Sequence, residues 1–119
     1  RNEPITIFGD GNQTRCFCHV GDIVEGLVAL SEHPEAFGKV FNLGGGKEVA
    51  IRELAERVIK LAGSQSSLEF IPYDAAYEAG FEDMERRVPN TTRAMQLVGF
   101  EPSASLDDII QSVIDDQLA

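Results

Sequence analysis

The stretch ITIFGDGNQTRCFCHVGDIVEGLVAL, residues 5–30, runs in order through a strand, a glycine turn, an extended segment and an amphipathic helix. Ile5–Phe8 is rich in β-branched and aromatic residues, which predicts a short strand, and the Gly-Asp-Gly-Asn that follows predicts a turn. Residues 14–20 predict a second strand or an extended segment. Asp22 is the predicted N-cap of a helix that we expect to end near residues 31–34.

The rest of the chain continues this alternation of short strands and helices. Apolar residues recur at helical spacing from Ile51 to Ala62, and Gly63 marks the end of that helix. The remaining predicted elements are strands at Val40–Leu43 and Leu68–Ile71, a helix capped by Asn90 that stops at Gly99, and a last helix capped by Ser105. Residues 73–89 predict a long functional loop. About four helices among short strands indicate the α/β class, or α+β for part of such a fold.

Composition narrows the possible partners. The 119 residues are enough for one modest domain, and 43% of them are hydrophobic. Twenty Asp and Glu residues outweigh ten Lys and Arg residues, for a net charge of -10. Because binding to nucleic acid needs clustered cations, this balance argues against a nucleic-acid partner, whereas a small anionic ligand responds to local donors. No apolar run approaches the ~18 residues of a membrane-spanning helix, so no membrane partner is expected.

The histidines and cysteines do not form a metal or disulfide pattern. His19 and His33 are far apart, with no cysteine or carboxylate at ligand spacing, so no metal is expected. Cys16 and Cys18 are only two residues apart, which disfavours a bond between them, and a cytoplasmic location is expected. The first residues, Arg-Asn-Glu-Pro, are interpreted as a cut inside a longer chain.

Two segments are candidates for contact with an anionic ligand. In the turn after the first strand, Gln13 and Arg15 could be presented to an anion, since arginine offers a planar fork of donors that suits phosphate. The alternative is an ordinary hairpin turn with a solvated arginine. Arg86 and Arg87 are adjacent in an acidic chain. They either bind phosphate or neutralise the nearby carboxylates of Glu82, Asp83 and Glu85.

A third segment, Phe41–Lys47, carries three consecutive glycines after a predicted strand. Glycines in this position let a backbone approach a ligand closely. Their spacing is that of neither a phosphate-binding loop nor a dinucleotide fingerprint. On its own, the segment is better explained as a flexible turn.

Residues 5–30 resemble the entry to the substrate domain of extended short-chain dehydrogenase/reductases, within the NAD-dependent nucleotide-sugar epimerase/dehydratase group. KVFNLGGGKEVAIRELAERVIKLAG, residues 39–63, resembles the family's next strand, glycine turn and helix. GFEDMERRVPNTTRAMQLVGFEPSASLDDIIQSVI, residues 80–114, resembles its closing segment. The three segments occur in the family's order and cover most of the chain. UDP-glucuronate decarboxylases, dTDP-glucose 4,6-dehydratases and UDP-sugar 4-epimerases are the most similar in appearance.

The resemblance implies that residues 1–119 are the C-terminal, nucleotide-sugar-binding portion of a longer enzyme. The family's Gly-x-x-Gly-x-x-Gly fingerprint and its Tyr-x-x-x-Lys pair are missing from this sequence. By family precedent, both would lie in an N-terminal Rossmann domain that binds NAD and is absent from this chain. No catalytic or cofactor-binding residue is therefore expected in the chain, and the fragment is expected to be inactive alone. The parent, expected to be a homodimer, would modify the sugar through a transient 4-keto intermediate.

The same resemblance assigns substrate-binding roles. Arg15 and Arg86, with Arg87 as the second choice for the latter, match the family's arginines that hold the diphosphate of the UDP- or dTDP-sugar. Gln13 and Asn42 match positions that line the nucleotide site. Two alternatives are a non-catalytic member of the superfamily that binds a nucleotide or a partner without turnover, and a protein-interaction domain. In the second, Arg15 and Arg86 would lie apart, paired with carboxylates.

The predicted strand at Val40–Leu43 carries one further expectation. In the intact enzyme it would join the large sheet of the cofactor-binding half. Without that half, its edge would be exposed and prone to pair with another chain. We therefore expect the isolated chain to form a dimer or a swapped assembly.

Overall fold

The computed structural model describes residues 2–76 and 83–119. The chain divides into a first unit, Arg1–Arg15, Val49–Arg87 and Ile110–Ala119, and a second unit, Cys16–Glu48 and Val88–Ile109. In chain order the described elements are β1 (Ile5–Phe8), β2 (Thr14–Cys16), α1 (Val20–Glu32), a 3-10 turn (Pro34–Ala36), β3 (Glu48–Ala50), α2 (Ile51–Leu61), β4 (Leu68–Ile71), α3 (Tyr73–Ala76), α4 (Thr92–Val98) and α5 (Leu106–Leu118).

The first unit is organised around the parallel pair of β1 and β4. Their register runs from Ile5 opposite Leu68 to Phe8 opposite Ile71, and α2 packs against β1. Ile7 is only 2% exposed, because alternate strand residues point to the same face and this one faces the helix side. The predicted strands at residues 5–8 and 68–71 are confirmed. β2 and β3 form a second two-stranded sheet.

The start of α2 is satisfied by the turn that follows β1. Ala50 is its N-cap residue and makes no side-chain cap, as expected for a residue without a polar group. Instead, the backbone N–H of Ile51 donates to the carbonyl of Gln13 at 3.0 Å, and that of Arg52 donates to the carbonyl of Gly11 at 3.0 Å. The first N–H groups of a helix have no acceptor within the helix, and two of them are hydrogen-bonded in this way. The turn is therefore fixed against the helix.

The second unit is built on the packing of α1 against α4. Gly26 in α1 is buried, and a Cβ at that position would lie 2.7 Å from the ring of Phe100. Ala94 of α4 has no exposed surface, and Phe100 is 7% exposed. The absence of a side chain at Gly26 thus makes room for the ring of Phe100, and Ala94 is buried in the same unit.

The prediction that Asp22 caps α1 is wrong. The helix begins two residues earlier, at Val20, and the Nδ1 atom of His19 accepts the N–H of Gly21 at 3.0 Å. The Asp22 carboxylate instead accepts hydrogen bonds from the segment before α5, at Ser103 and Ala104. The carboxylate of Asp22 therefore binds a segment that is distant in the sequence and does not bind the N–H groups at the start of its own helix.

The strand predicted at Val40–Leu43 is also wrong. Residues 39–47 have no regular secondary structure, and β3 begins only at Glu48. A strand is stabilised by a neighbour that pairs its backbone groups, and none of the described strands is paired with these four residues. Residues 40–43 therefore offer no strand edge through which a dimer could pair.

The predicted helix ends are mostly confirmed. Ser105 and Asp108 form a reciprocal cap, in which the N–H of Asp108 donates to Ser105 Oγ at 3.1 Å and the N–H of Ser105 donates to Asp108 Oδ2 at 2.9 Å. Gly63 and Gly99 end their helices with left-handed φ angles of 58° and 68°. The N-cap residue of α4 is Thr91 and not Asn90 as predicted, although the side chain of Asn90 accepts the N–H of Thr92 at 3.1 Å.

Candidate functional site

The turn after β1 is fixed by two glycines and one aspartate. Gly9 and Gly11 have φ angles of 75° and 77°, which glycine adopts without a steric cost. Asp10 accepts hydrogen bonds from the backbone N–H of Asn12 at 2.9 Å and from its side-chain amide at 3.0 Å. The backbone hydrogen bond from Asn12 is the main reason that the pKa of Asp10 lies below its ordinary value. The turn therefore presents an ionised carboxylate.

Arg15 on β2 is held by three acceptors. Its Nη1 atom donates to the carbonyls of Thr14 and Met84, both at 2.7 Å, and its Nη2 atom donates to Asp83 Oδ1 at 2.6 Å. The Arg15 side chain is 21% exposed. The alternative of a solvated arginine is therefore wrong. The ion pair of Arg15 with Asp83 is what the protein-interaction alternative predicts for this arginine.

The segments that carry Arg15 and Arg86 lie side by side. The N–H of Thr14 donates to the carbonyl of Glu85 at 2.8 Å, and Thr14 forms a parallel β-bridge with Arg86. The side chains of Arg86 and Arg87 are both exposed. The backbone thus brings together two arginine-bearing segments that are distant in the sequence.

An open cleft of about 870 Å³ lies beside this contact. It is lined by Gly9, Asp10, Asn12, Gln13, Tyr73, Asp83 and Glu85. The Tyr73 ring lies so close to Gly9 that a Cβ on the glycine would meet it at 2.4 Å. The cleft lining carries three carboxylates, so the cation for any anionic group must come from the neighbouring arginines.

The sequence did not identify Tyr73 and Asp83 as site residues. The hydroxyl of Tyr73 donates to Asp83 Oδ2 at 3.2 Å, so the two form one network with Arg15. We considered Asp83 only as a partner for Arg86 or Arg87, because those residues are its neighbours in the chain. The sequence carried no signal for its partnership with a residue on β2. Of the other two carboxylates considered there, Glu85 lines the cleft and Glu82 lies outside the described residues.

The two residues predicted to line the nucleotide site fall in different units. Gln13 belongs to the first unit and lines the cleft, with its Nε2 atom donating to the carbonyl of Phe8 at 3.0 Å. Asn42 belongs to the second unit, where its Nδ2 atom donates to the carbonyl of Asn90 at 3.2 Å. The side-chain amide of Asn42 therefore has a structural partner inside its own unit.

The glycine segment has a packing role. A Cβ at Gly45 would lie 2.1 Å from the carbonyl oxygen of Phe17, and a Cβ at Gly44 would lie 2.9 Å from Pro89. At Gly46 a Cβ would meet nothing within 4 Å. Gly45 is thus required by the close approach of another backbone, which explains it without a ligand.

Other site types have little support in the described part of the chain. Within residues 2–76 and 83–119, no three His, Cys, Asp or Glu side chains are grouped so as to hold a metal ion, and no helix has the length and apolar character needed to cross a bilayer. Cys16 and Cys18 are partly buried and are not joined in a disulfide. Burial, and then the charge of Asp22, raise the pKa of the Cys18 thiol, which disfavours the reactive thiolate.

Comparison with known proteins agrees with the resemblance drawn from the sequence. The family model for GDP-mannose 4,6 dehydratase matches residues 1–113. UDP-glucuronic acid decarboxylase 1 from Arabidopsis thaliana is 37% identical over 116 residues, which are 98% of this chain and 25% of that protein. UDP-N-acetyl-alpha-D-glucosaminuronate decarboxylase from Bacillus cytotoxicus is 31% identical over 114 residues, 96% of this chain and 35% of that protein. The chain thus spans about a quarter to a third of the length of these relatives.

Solved structures confirm the fold. UDP-glucuronic acid 4-epimerase from Bacillus cereus, in complex with UDP-glucuronic acid and NAD, superposes with a TM-score of 0.83 at 28% identity over 99% of this chain and 37% of that one. The predicted α/β fold, part of an extended short-chain dehydrogenase/reductase of Rossmann type, is therefore confirmed. Because the family model covers nearly the whole sequence, the chain belongs to the GDP-mannose 4,6-dehydratase family, whose matched members are epimerases, dehydratases and decarboxylases of nucleotide sugars.

Proposed function

We propose that this chain is the nucleotide-sugar-binding part of an NAD-dependent epimerase, dehydratase or decarboxylase. The family supports the reaction type, and the names of its relatives supply the substrate class. The Arabidopsis protein is a UDP-glucuronic acid decarboxylase, and the Bacillus cereus epimerase was solved with UDP-glucuronic acid. The ligand of this chain is accordingly a UDP-sugar or a related nucleotide sugar.

The observation that carries the proposal is the backbone contact between the two arginine-bearing segments. Thr14 pairs with Glu85 and Arg86, so Arg15 and Arg86 belong to adjacent strands of chain beside one cleft. Arginine binds phosphate with two parallel donors. In this proposal Arg15 and Arg86 hold the diphosphate, with Arg87 as the second choice, and Gln13 helps to line the nucleotide site. Asn42 is retained as a weaker lining residue.

The chemistry itself belongs to another part of the parent enzyme. The turn after β1 leads into β2, whereas a dinucleotide fingerprint leads into a helix whose N-terminus takes the pyrophosphate. The turn after β1 therefore does not fit the pyrophosphate of NAD. In the parent, NAD would accept and return a hydride at the sugar. The fragment is expected to have no activity alone.

Binding by this chain would act on the reaction from a distance. Contacts with the diphosphate fix the nucleotide, and that binding energy orients the remote sugar for the chemical step. A homodimeric parent and a cytoplasmic location complete the proposal. The first rests on the resemblance alone, and the second on a sequence that lacks the pattern of a disulfide framework.

Substitution of Arg15 in the full-length protein tests this role. Arg15→Ala is expected to weaken nucleotide-sugar binding by ~1.5–3 kcal/mol, the value of a hydrogen bond to a charged group. The measurement is kcat/KM with a UDP-sugar, together with the dissociation constant of UDP. Arg57→Ala is the matched control, because Arg57 forms an exposed ion pair with Glu53 on α2 and should leave both quantities unchanged.

A change in kcat/KM of less than about twofold for Arg15→Ala would contradict the role, since one charged hydrogen bond should cost more than that. An equal loss in Arg57→Ala would point to a general effect of removing positive charge. Thermal unfolding of each variant identifies a loss that arises from misfolding.

A further inference from the structure

The carboxylate of Asp83 is bound at both oxygens by side chains of the cleft. Arg15 Nη2 donates to Oδ1 at 2.6 Å, and the hydroxyl of Tyr73 donates to Oδ2 at 3.2 Å. Two donors from separate elements, β2 and α3, therefore converge on one small anion. Tyr73 and Asp83 both line the open cleft.

This arrangement has the geometry of an anion subsite. Two oxygens of a phosphate group can accept hydrogen bonds from a pair of donors in much the same geometry as the two oxygens of a carboxylate. The guanidinium of Arg15 is also held by the carbonyls of Thr14 and Met84, both at 2.7 Å. Two of its three acceptors are therefore backbone carbonyls and do not involve the side chain of Asp83.

We propose that Asp83 occupies an anion subsite formed by Arg15 and Tyr73, that a phosphate group of the nucleotide ligand displaces it, and that Tyr73 is thereby a ligand-binding residue. This inference rests on the proposed function, in which Arg15 binds the diphosphate. Both the carboxylate and the phosphate are anions, so they cannot share one pair of donors. The affinity for the ligand is therefore the difference between two competing interactions.

Competition predicts an unusual dependence on Tyr73. In the wild type, the neutral hydroxyl of Tyr73 donates to Asp83 in the empty site and to phosphate in the filled site, so its two contributions largely cancel. Arg15 keeps a net contribution, because its positive charge attracts a diphosphate more strongly than a singly charged carboxylate. Once Asp83 is removed, the hydroxyl stabilises only the filled site. The effect of Tyr73→Phe should therefore be small in the wild type and large in an Asp83→Ala background, which is the coupling that a double-mutant cycle measures.

The experiment is isothermal titration calorimetry of the full-length protein with UDP as the probe. The variants are Asp83→Ala, Tyr73→Phe and their combination. Asp83→Asn keeps the size of the side chain and serves if the alanine variant does not fold. Asp116→Ala is the matched control, because it removes one exposed carboxylate from α5 of the same unit, outside the cleft lining. Thermal unfolding checks that each variant is folded.

Asp83→Ala is expected to bind UDP about tenfold more tightly, because a competing charged hydrogen bond is lost. Tyr73→Phe should change the wild-type affinity by no more than about twofold, yet weaken the Asp83→Ala variant by about fivefold or more. Asp83→Asn should bind more tightly than the wild type and less tightly than Asp83→Ala. Asp116→Ala should bind as the wild type does.

Unchanged or weaker binding by Asp83→Ala would overturn the inference, as would an equal effect of Tyr73→Phe in both backgrounds. An equal gain in Asp116→Ala would also overturn it, because the gain would then come from net charge. If the wild type binds UDP through Arg15 and Asp83→Ala shows no gain, only this inference fails. If neither protein binds UDP, the proposed function fails as well.

Discussion

The carboxylate of Asp22 joins α1 to the segment that precedes α5. It accepts the N–H of Ser103 at 3.2 Å, the Ser103 hydroxyl at 3.1 Å and the N–H of Ala104 at 3.2 Å. The backbone hydrogen bond from Ser103, followed by that from Ala104, holds the pKa of Asp22 below its ordinary value of 3.8. A lowered folded-state pKa means that the charged form stabilises the fold.

The stability of the chain should therefore fall in acid, partly through Asp22. For a depressed pKa, the stabilisation is fully present above the unfolded value of 3.8 and is lost as the pH falls through the lower folded value. Asp22→Asn removes this ionisation. Its midpoint of urea unfolding should lie below that of the wild type at neutral pH, and the difference between the two should shrink as the pH falls below 3.8.

Asp107→Asn serves as the comparison, because it removes an exposed carboxylate from the first turn of α5. Asp108 is unsuitable, since hydrogen bonds from Ser105 also lower its pKa. A constant gap between wild type and Asp22→Asn from neutral to acid pH would show that the charge of Asp22 is not what stabilises the fold.

Arg15 is a second residue whose hydrogen-bond acceptors lie far away in the sequence. The residue type and its place in a turn-strand motif indicate anion recognition. The same guanidinium in the folded chain donates to Met84 and Asp83, which lie far along the sequence. No local pattern could assign those acceptors, because their proximity depends on the contact between Thr14 and Glu85.

At the scale of elements, α1 carries a glycine where a helix would ordinarily prefer alanine. Alanine in a helix interior is more stable than glycine by about 1 kcal/mol. Gly26, however, is buried, and a Cβ there would lie 2.7 Å and 2.9 Å from two atoms of the Phe100 ring and 3.3 Å from Leu43. Packing therefore opposes helix propensity at this position.

We expect Gly26→Ala to destabilise the chain. Overpacking of a core costs ~1–3 kcal/mol, which exceeds the gain of about 1 kcal/mol from helix propensity. The measurement is the free energy of unfolding in urea. Glu25→Ala, on the exposed side of the same helix, should change it by less than ~0.5 kcal/mol. A stabilised Gly26→Ala variant would show that Phe100 moves aside at little cost.

At the scale of the whole molecule, α1 exposes an apolar face. Val20, Val24, Leu27 and Val28 are spaced to lie on one side of the helix, and they are 69%, 50%, 55% and 49% exposed. Contiguous exposed apolar surface promotes association in water. This face, rather than a strand at residues 40–43, is the basis on which we expect the chain to self-associate.

The 119-residue chain should therefore show a rise in average mass with concentration by light scattering. Val24→Lys combined with Leu27→Lys should reduce that rise, because two charges interrupt the apolar face. Glu25→Lys is the control, since it adds a lysine to the same helix outside that face. A wild-type chain that stays monomeric at every concentration, or a control that reduces association equally, would contradict the prediction.

The sequence by itself determined the elements whose signals are local. Consecutive β-branched and aromatic residues specify the strand at Ile5–Phe8, and helical periodicity specifies α2. Glycine or a capping box specifies an end of α2, α4 and α5. The order of three segments also identified the family. Each of these signals depends on residues that are neighbours in the chain, so it can be recognised without knowledge of the fold.

The tertiary structure alone decided where polar groups and unpaired backbone find partners. Asp22 binds Ser103 instead of capping its own helix, and residues 40–43 form no strand because none of the described strands pairs with them. Arg15, Tyr73 and Asp83 form one network through contacts across the chain. Hydrogen bonds go to whichever acceptor the packing brings within about 3 Å, and sequence distance does not limit that choice.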